Sequence, residues 1–200
     1  KQWISLTPTL LKDETALLGS HIELQEDPPE LSAQQQQALQ QWQEQPDIRQ
    51  WLLWGVTGSG KTEVYLRCCQ QVLEQGQSVL LLTPEIGLVP QLLQRCRQRF
   101  GDRVISFHSG LSDGERIKAW RRCRQGGANV VVGTRSAIFL PMPQLGLIVL
   151  DEEHDSSYKQ ESPMPCYHAR DVARIRMELE GARLLFGSAT PSLENWLLSQ

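Results

Sequence analysis

The stretch whose residue types and spacing most clearly specify chemistry is Gly55-Val56-Thr57-Gly58-Ser59-Gly60-Lys61-Thr62, which follows the apolar run Trp51-Leu52-Leu53-Trp54. A glycine at each end, a lysine and then a hydroxyl residue form a complete phosphate-binding loop. Backbone N–H groups turn inward around phosphate oxygens, the Lys61 ammonium reaches the terminal phosphates, and Thr62 is placed to hold Mg²⁺. Side chains at Gly55 or Gly60 would crowd the anion or block a left-handed backbone, and the helix expected to start near Gly60 aims its N-terminal dipole at the phosphates.

A second cluster stands far along the chain. Asp151 follows the apolar run Leu147-Ile148-Val149-Leu150, where a phosphate-loop ATPase keeps the carboxylate that holds the metal opposite the loop hydroxyl. Glu152, one residue on, leaves the strand in another direction and is placed to take a proton from an attacking water.

Both clusters need elements to hold them. Besides Trp51–Trp54, short continuous apolar runs occur at 79–82, 104–107, 130–132, 147–150 and 184–186. Such runs read as parallel strands buried on both faces. Segments of helical length and polarity intervene at 63–75, 87–100, 112–125 and 168–180, and Gly76 marks a helix end. The alternation predicts an α/β fold, a doubly wound and mostly parallel sheet with helices on both faces, with its ligands at the carboxyl ends of the strands. The polar residues at those ends are Thr83-Pro84-Glu85, His108-Ser109-Gly110, Gly133-Thr134-Arg135, the acidic box and Gly187-Ser188-Ala189-Thr190.

Upstream, residues 1–30 read as a linker or lead-in, ending in the acidic, proline-bearing segment Gln25–Glu30. Residues 31–200 read as one domain. Ser32 is a candidate helix cap, followed by a glutamine run with Leu31, Ala38, Leu39 and Trp42 near one stripe. A glutamine amide pairs with adenine N6 and N7 at once, so one of these is a candidate base reader, and spacing alone leaves open which.

Two hundred residues with a net charge of −3 exclude a wholly basic nucleic-acid binder but leave a local patch possible. The basic run Arg116, Lys118, Arg121, Arg122 and Arg124 is either a solvated helix face or a source of electrostatic affinity. Five cysteines without a Cys-x-x-Cys pair read as reduced thiols, with one of Cys68 and Cys69 in a core. Tyr158, Lys159 and Gln160 read as a mobile polar stretch. No apolar run approaches the roughly eighteen residues of a membrane span, and Lys1-Gln2-Trp3 opens no signal peptide, so the expectation is a cytoplasmic protein that does not engage membrane. The start without Met suggests a piece of a longer chain.

Several segments together carry a family resemblance: Gly55 to Leu66, Thr83 to Leu88, Phe107 to Leu111, Gly133 to Phe139, Asp151 to Gln160, Tyr167 to Asp171 and Gly187 to Glu194. From about Leu31 onward the chain resembles the first RecA-like domain of superfamily 2 DNA helicases. Asp155-Ser156-Ser157-Tyr158-Lys159-Gln160 and Tyr167-His168-Ala169-Arg170-Asp171 make it most similar to the bacterial primosomal, replication-restart helicase family. The resemblance implies a nucleoid-associated, ATP-driven 3′-to-5′ motor acting on single-stranded and forked DNA, with single-strand binding protein and other primosome proteins as partners, and a monomeric state.

By the same resemblance Lys61 and Thr62 serve phosphate and Mg²⁺, Asp151 the metal and Glu152 water activation. His154, Ser188 and Thr190 couple nucleotide state to DNA grip. Thr83, Pro84, Glu85 and Gly87, with Gly133, Thr134, Arg135 and Ser136, match loops that track single-stranded DNA, and hydroxyls and backbone N–H groups there suit phosphate contacts. The family's adenine-reading glutamine falls on Gln35. The strand before Ser188 is expected between the phosphate-loop strand and the Asp151 strand. The second RecA-like domain with its arginine finger, and the family's cysteine-rich zinc region, fall outside these 200 residues, so the isolated piece is expected to bind nucleotide, hydrolyse it poorly and unwind nothing. A double-strand DNA translocase and a non-catalytic, nucleotide-dependent DNA-binding module remain as alternatives, and a water-activating Glu152 favours catalysis over the latter.

Overall fold

The computed structural model describes residues 28–198; of the lead-in expected over residues 1–30, all but the last three residues lie outside them. In chain order the elements are α1 (Ala33–Glu44), β1 (Gln50–Trp54), α2 (Lys61–Glu74), β2 (Ser78–Leu82), α3 (Val89–Phe100), β3 (Val104–Phe107), α4 (Asp113–Arg124), β4 (Val130–Gly133), β5 (Leu145–Leu150), β6 (Lys159–Gln160), β7 (Tyr167–His168), α5 (Ala169–Glu180), β8 (Arg183–Ser188) and α6 (Leu193–Leu198).

The six apolar runs pair as one parallel sheet in the order β1-β8-β5-β2-β4-β3. β8 therefore lies between the phosphate-loop strand and the Asp151 strand, as the resemblance implies. Alternation along each strand divides the interior: Leu80, Leu82, Ile148 and Phe186 join α4 and α5 on one face, while Val79, Leu81, Val149 and Leu185 join α1, α2 and α3 on the other. Because both faces are covered, the strands read as unbroken apolar runs. Cys68 and Cys69 are both buried rather than one of them, since α2 packs beneath α1 as well as on the sheet.

Helix starts follow local chemistry. Ser32 caps α1 with a reciprocal bond to Gln35, and Ser112 caps α4 with Glu115 in the same way. α1 buries one residue, Trp42, which packs at 5.8 Å on Trp51 and lies under the Arg183 guanidinium, 3.2 Å from its ring centre. That anchor holds the helix carrying Gln35 against the phosphate-loop strand. Elements that escape the sequence reading include the helical turns Gly101–Arg103, Arg135–Phe139 and Ser156–Tyr158, the antiparallel ribbon of β6 and β7, and α6.

The acidic turn after β5 is fixed by a buried charge. Glu153 is fully buried and accepts from Ser192 N (2.7 Å), Ser192 Oγ (3.1 Å), Asn195 Nδ2 (2.6 Å) and Arg170 Nη1 (3.0 Å). One carboxylate thus ties the box to the start of α5 and to α6. Removing one partner of a buried ion pair strands the other charge, at about 3–5 kcal/mol. Glu153→Ala is therefore expected to lower the stability of this domain by about that much in urea unfolding. Glu178→Ala, whose partner Arg49 is 3.9 Å away at the exposed surface, should change it by less than about 0.5 kcal/mol. Trp42→Ala should cost about 3–5 kcal/mol through the cavity it leaves under α1.

Candidate active site

β1 ends at Trp54 and the chain turns through residues 55–60 before α2 begins at Lys61. Gly58 and Gly60 both have φ of +81°, a left-handed backbone that glycine adopts without strain. A Cβ on Gly55 would stand 2.7 Å from Ser59 Oγ, and one on Gly60 would strike the Gln35 amide nitrogen. The loop is thus built on glycines for conformation and close approach. The Gly55 N–H donates to the Ser188 carbonyl at 3.1 Å, which fastens the loop to β8.

Lys61 is nearly buried; its ammonium donates to the Gly55 carbonyl at 2.9 Å and stands 3.4 Å from Glu152 Oε1. Four residues on, the buried Tyr65 donates its hydroxyl to Asp151 Oδ1 at 2.9 Å. These contacts bring the loop and the acidic box to one place from opposite sides of β8.

Asp151 Oδ1 also accepts the Glu152 N–H at 3.1 Å. Burial pushes the Asp151 carboxyl above its usual range and Glu152 adds to the rise, while the Tyr65 hydroxyl and Lys61 oppose it. A half-buried carboxylate raised in this way regains its charge beside a cation. Burial, reinforced by Asp151, likewise holds the Tyr65 phenol well above its ordinary value. Glu152 has φ of +47°, unusual for a residue with a Cβ, and its Oε2 accepts from Ala189 N at 3.4 Å.

His154, Ser188 and Thr190 come together as expected. The His154 Nδ1 lies 2.7 Å from Ser188 Oγ and its Nε2 3.3 Å from Thr190 Oγ1, while Thr190 N donates to Ser188 Oγ at 3.0 Å. Trp54 closes the same loop by donating its indole N–H to Ala189 O at 3.1 Å.

Gln35 sits against the phosphate loop. Its Oε1 accepts from Ser32 N at 2.8 Å, and its Nε2 donates to Ser59 O at 3.1 Å and Gly60 O at 3.3 Å. Both ends of the amide thus meet the protein, one at the cap of α1 and the other at the backbone of the phosphate loop. A cavity of about 850 Å³ opens beside Gly60, lined by Pro28, Pro29, Glu63, Arg95, Arg99 and Phe100.

The loops expected to track DNA divide in two. Thr83, Pro84, Gly133 and Thr134 are buried and shape the backbone, with Thr83 N donating to Gly133 O at 2.9 Å; Glu85 and Gly87 are exposed and Ser136 half-buried. The Thr83 hydroxyl is buried without a partner among the described residues. Arg135 is not a free cation. Its guanidinium donates to Ser157 O (3.1 Å), Lys159 O (2.5 Å) and Gln160 Oε1 (3.2 Å), bracing the segment after the acidic box.

That segment is the clearest correction to the sequence reading. Tyr158, expected in a mobile polar stretch, is fully buried, its hydroxyl within 3.0 Å of Leu82 O and 2.7 Å of Asp151 O. The single helical turn Ser156–Tyr158, capped by Asp155, rotates the ring inward beneath the ends of β2 and β5. In the basic run on α4, Arg122 is bound to Gly127 O at 3.0 Å and Asp102 O at 2.7 Å, and Arg124 lies over Trp120. Tyr65 was recoverable in principle, because it stands one helical turn beyond Lys61 on the same face of α2. Glu153, Arg170, Ser192 and Asn195 carry no such periodic signal.

The residues present suit a magnesium nucleotide: a glycine cradle at a helix start, a lysine, a following hydroxyl and a carboxylate pair. Among the described residues no donor meets Asp151 Oδ2.

A family profile described as DEAD/DEAH box helicase matches residues 32–197. The chain is 59% identical over 168 residues to the replication restart protein PriA of Synechocystis, covering 84% of this chain and 20% of that one. It is 45% identical over 189 residues to the PriA of Chlamydia pneumoniae, covering 89% and 25%. Thus it spans a fifth to a quarter of the length of these relatives. Among solved structures, RecG bound to a three-way DNA junction superimposes with a TM-score of 0.65 at 25% identity, over 86% of this chain and 23% of RecG. With the phosphate loop and acidic box facing each other on a RecA-like sheet, and a helicase profile spanning nearly all of the described residues, the chain belongs to the DEAD/DEAH box helicase family.

Proposed function

We propose that this domain is the ATP-binding motor of a 3′-to-5′ DNA helicase that acts on branched DNA at stalled forks and takes part in replication restart. The observation that carries the reading is the 3.4 Å approach of Lys61 to Glu152, which puts a phosphate-binding cation beside a carboxylate fit to activate water. Similarity to proteins named for replication restart supports the fork as the place of action. Single-strand binding protein and primosome proteins as partners, a monomeric state and a nucleoid-associated cytoplasmic location belong to the same proposal. Among the described residues no helix is long and apolar enough to cross a membrane.

In this reading Lys61 and the N–H groups of residues 55–60 bind the phosphates, and Thr62 and Asp151 hold Mg²⁺. The metal, when bound, neutralises charge on the transferring phosphoryl group. Glu152 accepts the proton of the attacking water, held in place by Lys61 on one oxygen and Ala189 N on the other. Gln35, fastened to the cap of α1 and to the loop backbone, is the adenine-reading residue of this proposal, with the second lone pair of its Oε1 left to accept from adenine N6.

Coupling to DNA follows from the contacts around β8. Glu152 touches Ala189, His154 touches Ser188 and Thr190, and Trp54 touches Ala189, so a displacement of the acidic turn is passed to the loop after β8. The exposed Glu85, Gly87 and the half-buried Ser136 form the DNA-facing surface, with Thr83, Pro84, Gly133 and Thr134 shaping it and Arg135 bracing its neighbour. A module that used nucleotide only as a switch would have no need of a carboxylate at Glu152, which favours a catalytic motor.

In the full-length protein, Glu152→Gln should preserve ATP binding while lowering DNA-stimulated hydrolysis by about 10²–10⁴-fold, the usual contribution of a general base. Stimulated turnover near the wild-type rate would remove Glu152 from the mechanism. Lys61→Ala should weaken ADP binding measured by calorimetry; unchanged affinity would contradict the assignment of the loop. Forked DNA should stimulate wild-type hydrolysis more than blunt duplex, and equal stimulation would count against a fork-directed motor.

A further inference from the structure

We propose that Tyr65 is a positioning residue for the metal: its hydroxyl pins one oxygen of Asp151 so that the other is presented to Mg²⁺. The proposal rests on the reading of Asp151 as the metal's carboxylate. Tyr65 belongs to α2, one turn beyond Lys61, and is 1% exposed, so the ring has a single place to go. From there it must cross β8 to reach Asp151 at the end of β5, since β8 lies between the strand that feeds α2 and the strand that ends in the acid.

The crossing is possible because β8 carries a glycine at that point. A Cβ on Gly187 would fall on the Tyr65 hydroxyl and stand 2.6 Å from its ring carbon Cζ, so any side chain there would drive the ring off its acceptor. Gly187 also accepts the Glu153 N–H at 3.0 Å, which fixes the backbone of the turn whose acid Tyr65 grips. A hydroxyl from the phosphate-loop helix, a gap in the middle strand and an acid on the third strand form one construction.

The construction leaves the two carboxylate oxygens unequal. Oδ1 accepts both the Tyr65 hydroxyl at 2.9 Å and the Glu152 N–H at 3.1 Å. Such bonds to a charged acceptor are directional, and together they fix the rotation of the carboxylate about its χ2 axis. Oδ2 is then presented at a set angle rather than found by a freely turning group. Because the hydroxyl comes from α2, the same helix whose first turn supplies Lys61 and Thr62, the two sides of the metal site are held in register by a single side chain.

Tyr65→Phe removes the hydroxyl and keeps the ring in the core, so folding should be preserved and thermal melting will verify it. ADP affinity of the full-length protein is measured across a range of Mg²⁺ concentrations and with Mg²⁺ chelated. The expected result is that Tyr65→Phe raises the Mg²⁺ concentration needed for half-maximal tightening of ADP by about tenfold, the scale of one hydrogen bond to a charged group, with metal-free ADP affinity unchanged. Gly187→Ala, which displaces the hydroxyl by sterics, should give the same separation.

A wild-type Mg²⁺ dependence in Tyr65→Phe would overturn the proposal, as would an equal loss of affinity with and without the metal, which marks a structural role only. Asp151→Asn separates this from the underlying reading. If it abolishes the Mg²⁺ effect while Tyr65→Phe behaves as wild type, Tyr65 alone is misassigned; if neither variant alters the Mg²⁺ effect, Asp151 is not the metal's ligand.

Discussion

The structure turns on the placement of one strand. β8 lies between β1 and β5, so the loop leaving β1 and the acid leaving β5 are separated by one strand width, and all three strands run the same way. Parallel strands bring their carboxyl ends to a single edge, which is why residues almost a hundred positions apart meet. Had β8 been laid at the outside of the sheet, Lys61 and Glu152 would either abut through adjacent strands or lose contact. The intervening strand sets the gap and supplies its floor through Gly187, Ser188 and Ala189.

That floor is where local rules are relaxed. Glu152 takes a left-handed backbone without being glycine, Asp151 is a half-buried acid, and Thr83 keeps a buried hydroxyl without a partner among the described residues. Each is costly alone, and each is held by well-packed surroundings: the Tyr158 hydroxyl beneath Asp151, the Glu153 knot behind Glu152 and the tight core of β2 and β5. The charges sort by environment. Glu153 is sealed and has four donors, whereas Glu152 is partly open and touches Lys61 and Ala189 at longer range. The first anchors the turn, and the second is the group to which the proposed motor gives the proton of the attacking water.

The sheet and the loop were legible in the sequence because their signals are short-range. Strands buried on both faces must be apolar throughout, and a phosphate loop must carry glycine and lysine at fixed spacing. What stayed hidden depends on direction rather than type. Tyr158 sits in a polar string, and its burial follows from one helical turn rotating the ring inward. Arg135 has the chemistry to meet a phosphate yet faces the carbonyls of Ser157 and Lys159. Glu153 looks like its neighbours in the acidic box, and only the approach of α5 and α6 makes it a buried hub. Spacing left the glutamines of α1 indistinguishable and only the family resemblance singled out Gln35, whose bonds to Ser32 and the loop backbone are a matter of direction that spacing does not reveal.

The central claim is that one magnesium nucleotide is held from both sides of β8. A crystal structure of the full-length protein with a non-hydrolysable ATP analogue and Mn²⁺, located by its anomalous signal, tests it most directly. The account requires the metal between the Thr62 hydroxyl and the Asp151 carboxylate, with the Lys61 ammonium moved from the Gly55 carbonyl onto the phosphates. A metal held without Asp151, or phosphates seated away from residues 55–62, would contradict it.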